Sequence, residues 1–513
     1  MRRALNPEVI VAVIAVAAGC GLRLWAVFTP LGVMDADEAV VGLMARDWID
    51  GRATVFYWGQ NYSGSQESIL VALLYAVATG LPEIAKLAPA GLHAGGAILV
   101  WRIGRRMVGA RPALVAASLF WVWPAAFVWW SLKVRGHYGT TLVLGLLALL
   151  LVLQLVDDDL RAVRRRLVAT GLGLAAGLGW WASFHIVFLV VPAGLWLVAR
   201  RGRAAITDVI WAAPAGVFGA LPWVVWNITH SFGSFRSPPV VAAGPAYSGR
   251  VTAFVTDAFP KAIGATVPFS ENWAVPVVGQ LLVAGVGLAV GLAAAAAIRR
   301  RDPHLSLLVA IAAAYPFLLA LSPFFYVDEP RYLYYLAPVL ALLVARAVTV
   351  PRSPSASSPP STMRAAVPAV VVVAAFALSL TTLQTMATQR MGLFAAGGVE
   401  VPRRLDPLIA DLEARGIRHV FAPYAMAYRL TLDSGRDVVA TPIEHVRDPD
   451  LNEEVRSADR PAWVFMARSG QVAEFQQAAA VRGVRPGCSV TGDFAICHPD
   501  ARLLQEDVPE LQP

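Results

Sequence analysis

Three carboxylates fall within four residues in Met34-Asp35-Ala36-Asp37-Glu38-Ala39, directly after an apolar run. A carboxylate so placed can take a proton from a hydroxyl, or it can cap the helix that begins beside it. Either Asp35 or Asp37 suits the capping role, so both uses stay open here. A second polar stretch in the same loop, Phe56-Tyr57-Trp58-Gly59-Gln60-Asn61-Tyr62-Ser63-Gly64-Ser65-Gln66-Glu67, adds aromatics and one more carboxylate. Farther along, Lys133-Val134-Arg135-Gly136-His137-Tyr138 is a dense cationic patch. Phe325-Tyr326-Val327-Asp328-Glu329-Pro330-Arg331-Tyr332 then brings an arginine between aromatics. Taken together these are the parts that transfer from a phosphate-bearing lipid needs: a base for an acceptor hydroxyl and cations for a departing phosphate. Each also has a plainer use. Arg331 can pair with Asp328 or Glu329, Tyr326 and Tyr332 can be interface-belt aromatics, and His137 can cap the helix after it.

The elements that position these residues are set by hydrophobicity. Of 513 residues, 57% are hydrophobic and 15% charged, and the mean hydropathy is +0.58, which is a membrane composition. Apolar segments near the roughly 20 residues needed to cross a bilayer recur along most of the chain. They are Val9–Pro30, Ile84–Trp101, Pro112–Ser131, Tyr138–Val156, Leu167–Trp181, Phe184–Ala199, Ala204–Thr229, Trp273–Ile298, Leu305–Val327, Tyr332–Ala347 and Ala365–Ala387. The pattern predicts a mainly α, polytopic bundle of about eleven spans. The first segment reads as an uncleaved span, since no small-residue cleavage site follows it. The run from Leu167 to Ala199 is divided at Trp180-Trp181-Ala182-Ser183, because one crossing there would put its flanking arginine loops on opposite faces. Ile69–Gly80 is short and bounded by polar residues, so it is expected to lie in the interface.

With this threading, Arg102/Arg105/Arg106/Arg111, Arg161/Arg164/Arg165/Arg166, Arg200/Arg201/Arg203, Arg299/Arg300/Arg301 and Arg352/Arg364 all share the side of the N-terminus. Positive charge collects on the cytoplasmic side, so the N-terminus is expected there and Leu31–Glu83, Leu132–His137, His230–Asn272 and Asp328–Arg331 on the far side. The net charge of +8 is thereby a topology signal; no single basic face interleaved with aromatics exists for nucleic acid. Pro351–Thr362 reads as a flexible linker.

From about Gln389 charges become frequent and apolar runs shorten, which predicts a membrane domain over 1–388 and a small extracytoplasmic α/β domain over 389–513. Asp406–Arg415 and Gln471–Arg482 read as helices, and His419–Pro423, Arg436–Thr441, Ala462–Ala467 and Phe494–His498 as strands. Cys488 and Cys497 can form a disulfide if this tail lies outside the cytoplasm.

An early Asp-Glu after the first span, an interfacial helix after a second polar motif, a charged second loop and a late Arg-Tyr at the head of a span together resemble the GT-C superfamily of integral-membrane glycosyltransferases. The likeness is to glycosyltransferase family 39-like enzymes, protein O-mannosyltransferases and lipid A aminoarabinose transferases, and it covers roughly Val9 to Ala387. Its most specific element is Asp37-Glu38-Ala39, similar to the Asp-Glu-Ala at the start of that family's first outer-loop helix. The resemblance implies a polyprenyl-phosphate sugar donor, an inverting reaction, Asp37 as the base with Glu38 beside it, and a lipid, glycan or protein acceptor at the membrane. The family's second motif sets a Tyr, a Glu and a Lys near the sugar phosphate. Tyr62 and Glu67 stand in similar places, but Gln66 and Ser68 flank the glutamate and the lysine is missing. Charge and topology then nominate Lys133, Arg135, His137 and Arg331, with Tyr332, for the donor. Members of the family act with and without a divalent cation, so a metal on Asp37 stays open.

Two other classes compete. A transporter places ionisable groups near the bilayer midplane, and here only Lys86, His93 and Asp208 stand out within spans. A non-catalytic assembly factor would tolerate replacement of the rim residues.

Overall fold

A computed structural model describes residues 7–78, 82–236, 246–322, 330–349 and 361–511. It is a helical bundle joined to a small sheet-containing C-terminal region. Among the described residues six helical stretches are long and apolar enough to cross a membrane: Val9–Val27, Pro82–Met107, Tyr138–Asp157, Phe184–Gly219, Pro276–Arg300 and Ala366–Thr388. Shorter apolar helices, Gln66–Val77, Ala110–Val122, Pro303–Leu319 and Ala337–Thr349, accompany them. The protein is an integral membrane protein of mainly α class.

Two breaks in the helices shape the rim of the bundle. The expected span Pro112–Ser131 is two helices, Ala110–Val122 and Ala125–Trp130, because Trp123-Pro124 interrupts it. Proline cannot supply the amide that would continue the ladder, and it forces its predecessor out of helical geometry. This bend turns Trp129, Trp130 and Ser131 inward as buried residues and delivers Lys133–His137 to the rim. The division of Leu167–Ala199 falls where the sequence places it: Ala162–Ala182 ends at the extended residue Ser183, and Val187–Arg201 begins after a short turn. Ser183 also bridges to Ser63 of the first long loop, tying that loop to the bundle.

Helices Ala162–Ala182 and Ala205–Gly219 pack backbone to backbone. Any side chain on Gly173 would overlap the Ala212 carbonyl, and any on Gly177 would overlap that of Gly216. Small residues permit such an approach where no hydrophobic force draws helices together.

The first long loop is ordered by helix Ala36–Ile49, an antiparallel hairpin of Phe56–Tyr57 with Gln60–Gly64, and helix Gln66–Val77. After helix Ser361–Thr388 the chain builds a five-stranded mixed sheet in the order Val439–Pro442, His419–Ala422, Ala462–Met466, Phe494–Pro499, Pro486–Thr491. Its last two strands are joined by a Cys488–Cys497 disulfide between facing residues. Helices Asp406–Ala414 and Gln471–Val481 match the sequence periodicity, whereas Tyr424–Asp433 and Pro449–Ser457 are additions to it. The bundle and this region do not merely touch. Val40, Val41, Met44, Val71 and Tyr75 of the loop share one apolar cluster with Tyr428 and Leu432 of the C-terminal region.

Candidate active site

The carboxylate run is divided by helix geometry. Asp35 is the N-cap of helix Ala36–Ile49: its Oδ1 accepts from the Glu38 amide at 3.0 Å, and Glu38 Oε2 accepts from the Asp35 amide at 3.1 Å. This reciprocal capping box fixes the helix start. It also turns Asp35 and Glu38 into the protein, where their side chains are 1% and 0% exposed. Lys133 Nζ lies 3.0 Å from Glu38 Oε2 and 3.3 Å from Asp35 Oδ2, and donates to the Val33 carbonyl at 3.0 Å. Lys86 Nζ meets the other Glu38 oxygen at 2.5 Å. Burial opposes the Asp35 charge, but Arg135, Lys133 and the Glu38 amide prevail and hold its carboxyl well below the usual range.

Asp37 stands between these two residues and points elsewhere, because each residue turns the helix by about 100°. Its side chain is 25% exposed. Arg135 forks across the helix start, reaching Asp37 Oδ2 at 2.8 Å and Asp35 Oδ2 at 2.7 Å. Tyr57 donates to the Asp37 carbonyl at 3.1 Å and to Oδ1 at 3.3 Å. From the C-terminal region, Tyr424 donates to Oδ1 and Arg447 Nη2 stands 3.6 Å from the same oxygen.

Two expectations are thereby revised. Glu38 does not stand beside Asp37 as a second reactive carboxylate but is buried and bound by two lysines. Lys133 does not face an open phosphate site; its ammonium is wholly enclosed and shared by two carboxylates and a carbonyl. Arg331 is half-buried and Arg135 nearly buried, its side chain 9% exposed, with their guanidinium carbons 5.8 and 5.3 Å from the Trp130 ring. Residues 325–329 of the hairpin before Arg331, including Asp328 and Glu329, lie outside the described residues.

Next to this pair is a polar wall. His137 is stacked at 6.1 Å from His185, which in turn stacks at 4.6 Å on Tyr332. Among the described residues neither ring nitrogen of His137 finds a hydrogen-bond partner, nor do Glu67 Oε1, Thr140 Oγ1 and Ser63 Oγ, although all are buried. Burial, aided by the Arg331 charge, lowers His137 to about 3. Burial pushes Glu67 up to about 8, the Gly136 amide opposing and Glu38 adding to it. Both side chains are therefore neutral at pH 7. Buried polar groups without partners cost about 1–3 kcal/mol each, and here several of them gather at one place. Tyr62 is half-buried in strand Gln60–Gly64; the tyrosine of that hairpin that meets Asp37 is Tyr57.

Among the described residues no three His, Cys, Asp or Glu side chains converge as metal ligands. Asp37 is flanked by guanidinium groups, which suit an anion and not a divalent cation.

Tyr57 is visible in the sequence as part of an aromatic motif. Tyr424 and Arg447 have no local signal, because their significance arises only when the C-terminal region docks.

No protein-family model and no curated protein sequence matches the chain. Solved structures do. ArnT from Cupriavidus metallidurans in the apo state superposes with a TM-score of 0.64 at 11% identity, over 98% of both chains. The same enzyme bound to undecaprenyl phosphate gives 0.62 at 12% identity, again over 98% of both. An oligosaccharyltransferase from Archaeoglobus fulgidus, in complex with Zn and sulfate, gives 0.54 at 14% identity over 88% of this chain and 67% of that one. The architecture is thus the GT-C fold that the sequence resemblance implied. Its likeness to ArnT runs through the C-terminal region as well as the bundle, since nearly the whole of each chain is covered.

Proposed function

We propose that this chain is an integral-membrane glycosyltransferase that moves a sugar from a polyprenyl-phosphate donor to a lipid, glycan or protein acceptor. The observation that carries the proposal is Asp37: a partly open carboxylate, held by Arg135 beside Arg331 and a wall of unpartnered polar groups, at the rim of a fold shared with an enzyme solved with undecaprenyl phosphate. In this reading Asp37 takes the proton of the acceptor hydroxyl as its oxygen attacks the anomeric carbon. The bond from that carbon to the phosphate oxygen breaks, and the configuration inverts. The polyprenyl phosphate leaves with its charge beside Arg135 and Arg331, where fixed guanidinium groups need no reorganisation. Glu67, His137 and Thr140 supply uncharged hydrogen-bonding groups for the donor, with Tyr62 and Tyr332 at its edge. Glu38 and Lys133 support the helix that carries Asp37.

The rim is assigned to the extracytoplasmic side and the N-terminus to the cytoplasm. The arginine loops support this, and so does the disulfide, since such bonds persist in oxidising compartments. A reporter fused after the last residue should be active only outside the cytoplasm; activity inside would reverse the assignment.

A transporter finds less support. Lys86 is bound to Glu38, His93 Nδ1 to the Tyr334 hydroxyl at 2.6 Å, and Asp208 to Arg165 and Arg201. All three exceptions are already paired within the protein.

The test is release of decaprenyl phosphate by purified protein from synthetic decaprenyl-phosphate mannose, glucose, galactose and arabinose, with cell-envelope extract as acceptor. At least one donor should be consumed, and Asp37→Asn should slow that reaction on the order of 10²–10⁴-fold. Equal consumption by Asp37→Asn in folded protein would remove Asp37 from the role of base.

A further inference from the structure

Asp37 has partners from three separate parts of the chain: Arg135 after the bent helix, Tyr57 from the hairpin, and the pair Tyr424 and Arg447 from the C-terminal region. The last pair is orderly. Arg447 Nε donates to the Tyr424 hydroxyl at 3.2 Å, and a guanidinium only donates. The lone pair of Tyr424 is therefore engaged by Arg447, and its proton is directed at Asp37 Oδ1.

We propose that Tyr424 and Arg447 are positioning residues for Asp37, so that the C-terminal region forms one wall of the active site. This rests on the reading of Asp37 as the base. A carboxylate in the first turn of a helix is free to rotate about its side-chain bonds. Donors on both oxygens, Arg135 at Oδ2 and Tyr424 with Tyr57 at Oδ1, fix its plane and hold one aim toward the acceptor. A base misplaced by about 1 Å loses roughly 10²-fold in rate.

The support behind the pair is as firm as the pair itself. The Glu444 carboxylate accepts from the Tyr424 amide at 2.9 Å. The buried Tyr428 hydroxyl accepts from the amides of Arg447 and Asp448 at 2.6 and 3.2 Å. Gly59, with φ of 68°, admits Arg447 so closely that an added Cβ would lie 2.9 Å from its Cδ. Gly42 likewise receives the Leu432 side chain at a distance no larger residue allows, and Arg436 reaches Asp47 at 2.6 Å. A region seated on a shared apolar core in this way is a fixed wall and not a swinging lid.

Two measurements test this on the full-length protein in detergent. The first is the rate of modification of Asp37 by a water-soluble carbodiimide across pH, read by mass spectrometry. It needs no donor. The charged and titratable groups facing Asp37 are Arg135, Arg447, Tyr57 and Tyr424, with Asp35 beyond Arg135. Tyr424→Phe withdraws one donor from the carboxylate and frees its Oδ1, so it should raise the labelling rate of Asp37. The second is turnover with the decaprenyl-phosphate sugar that the wild type consumes. Tyr424→Phe should lower kcat by about 10- to 100-fold while each KM changes less than about twofold. Arg447→Lys should retain more kcat than Arg447→Met. Arg436→Gln, which removes one ion pair to Asp47 but keeps the shared apolar core and every contact to Asp37, should leave both the labelling curve and kcat in place. In an Asp37→Asn background, Tyr424→Phe should add no further loss. Wild-type labelling and kcat in Tyr424→Phe would overturn the proposal while leaving Asp37 as base. Full turnover by Asp37→Asn would remove the base reading, a result separable from the first.

Discussion

Asp35 and Glu38 on one side of a helix start, and Asp37 on the other, are the same functional group in two surroundings. The first two are dry and enclosed, bound by lysines and amides and, at Asp35, by one arm of Arg135. Asp37 is bound as well, by hydroxyls and guanidinium groups, but at an edge that solvent reaches. Charge pairing alone therefore does not separate a structural carboxylate from the one proposed to do chemistry. What separates them is whether any face stays open. Enclosed ammonium groups stabilise a fold that loses heavily when one partner is removed. Rim guanidinium groups leave the carboxylate in place and able to act.

The sharpest way to break that contrast is exchange of the two chemistries. Glu38→Gln should cost about 3–5 kcal/mol of stability, because it leaves Lys86 buried against an uncharged partner and Lys133 with Asp35 as its one carboxylate. It should appear as lost folded yield and a lower unfolding temperature in detergent. Asp37→Asn should show the reverse: intact unfolding and lost transfer. If Glu38→Gln proved fully stable yet inactive, the division between the two sides would collapse.

A smaller effect is expected where the rim meets the donor. Arg331→Ala should weaken binding of undecaprenyl phosphate by about 10- to 150-fold, the equivalent of about 1.5–3 kcal/mol for a charge-assisted contact. Fluorescence titration of the purified protein measures it, and unaltered binding would assign Arg331 to a purely structural pairing.

The smallest concerns Glu67, whose carboxyl stands at about 8 against a usual 4.5. Between those values the folded state keeps a proton that the unfolded state has lost. Stability from this residue is therefore complete below the lower value and declines as pH rises through the window. Glu67→Gln removes the titration. The fall in unfolding temperature between about pH 5 and about pH 8 should therefore be smaller in Glu67→Gln than in the wild type. An unchanged slope would show that Glu67 does not take up a proton on folding in this window.

Much of this arrangement is legible in the sequence because its signals are local. The capping box is a three-residue spacing, and the break at Ser183 follows from the side on which arginines must lie. The bend at Trp123-Pro124 is also written locally, but the continuous hydrophobicity of Pro112–Ser131 conceals it, since a span and a bent pair of helices have the same composition. Strand Pro486–Thr491 escapes a reading by pattern because it is a sheet edge, with partly exposed residues along its length and little apolar signal. The fate of Glu38 is illegible for another reason. Lys86 is 48 positions away and Lys133 is 95, and nothing in the sequence separations says which cation a carboxylate will meet. The same holds for the partners that Asp37 receives from the far end of the chain.

That last contact has a consequence in time. Tyr424 follows Asp37 by 387 residues, so the carboxylate is among the earliest rim residues to leave the ribosome and its tyrosine among the latest. Throughout synthesis and threading of the helices Asp37 stands at the membrane edge without its full set of partners. On the proposed reading of Asp37, the catalytic geometry comes into being only after the final helix has inserted and the C-terminal region has folded onto the first loop. On that reading a chain interrupted before that point, however well its helices are placed, lacks the full set of contacts that hold Asp37.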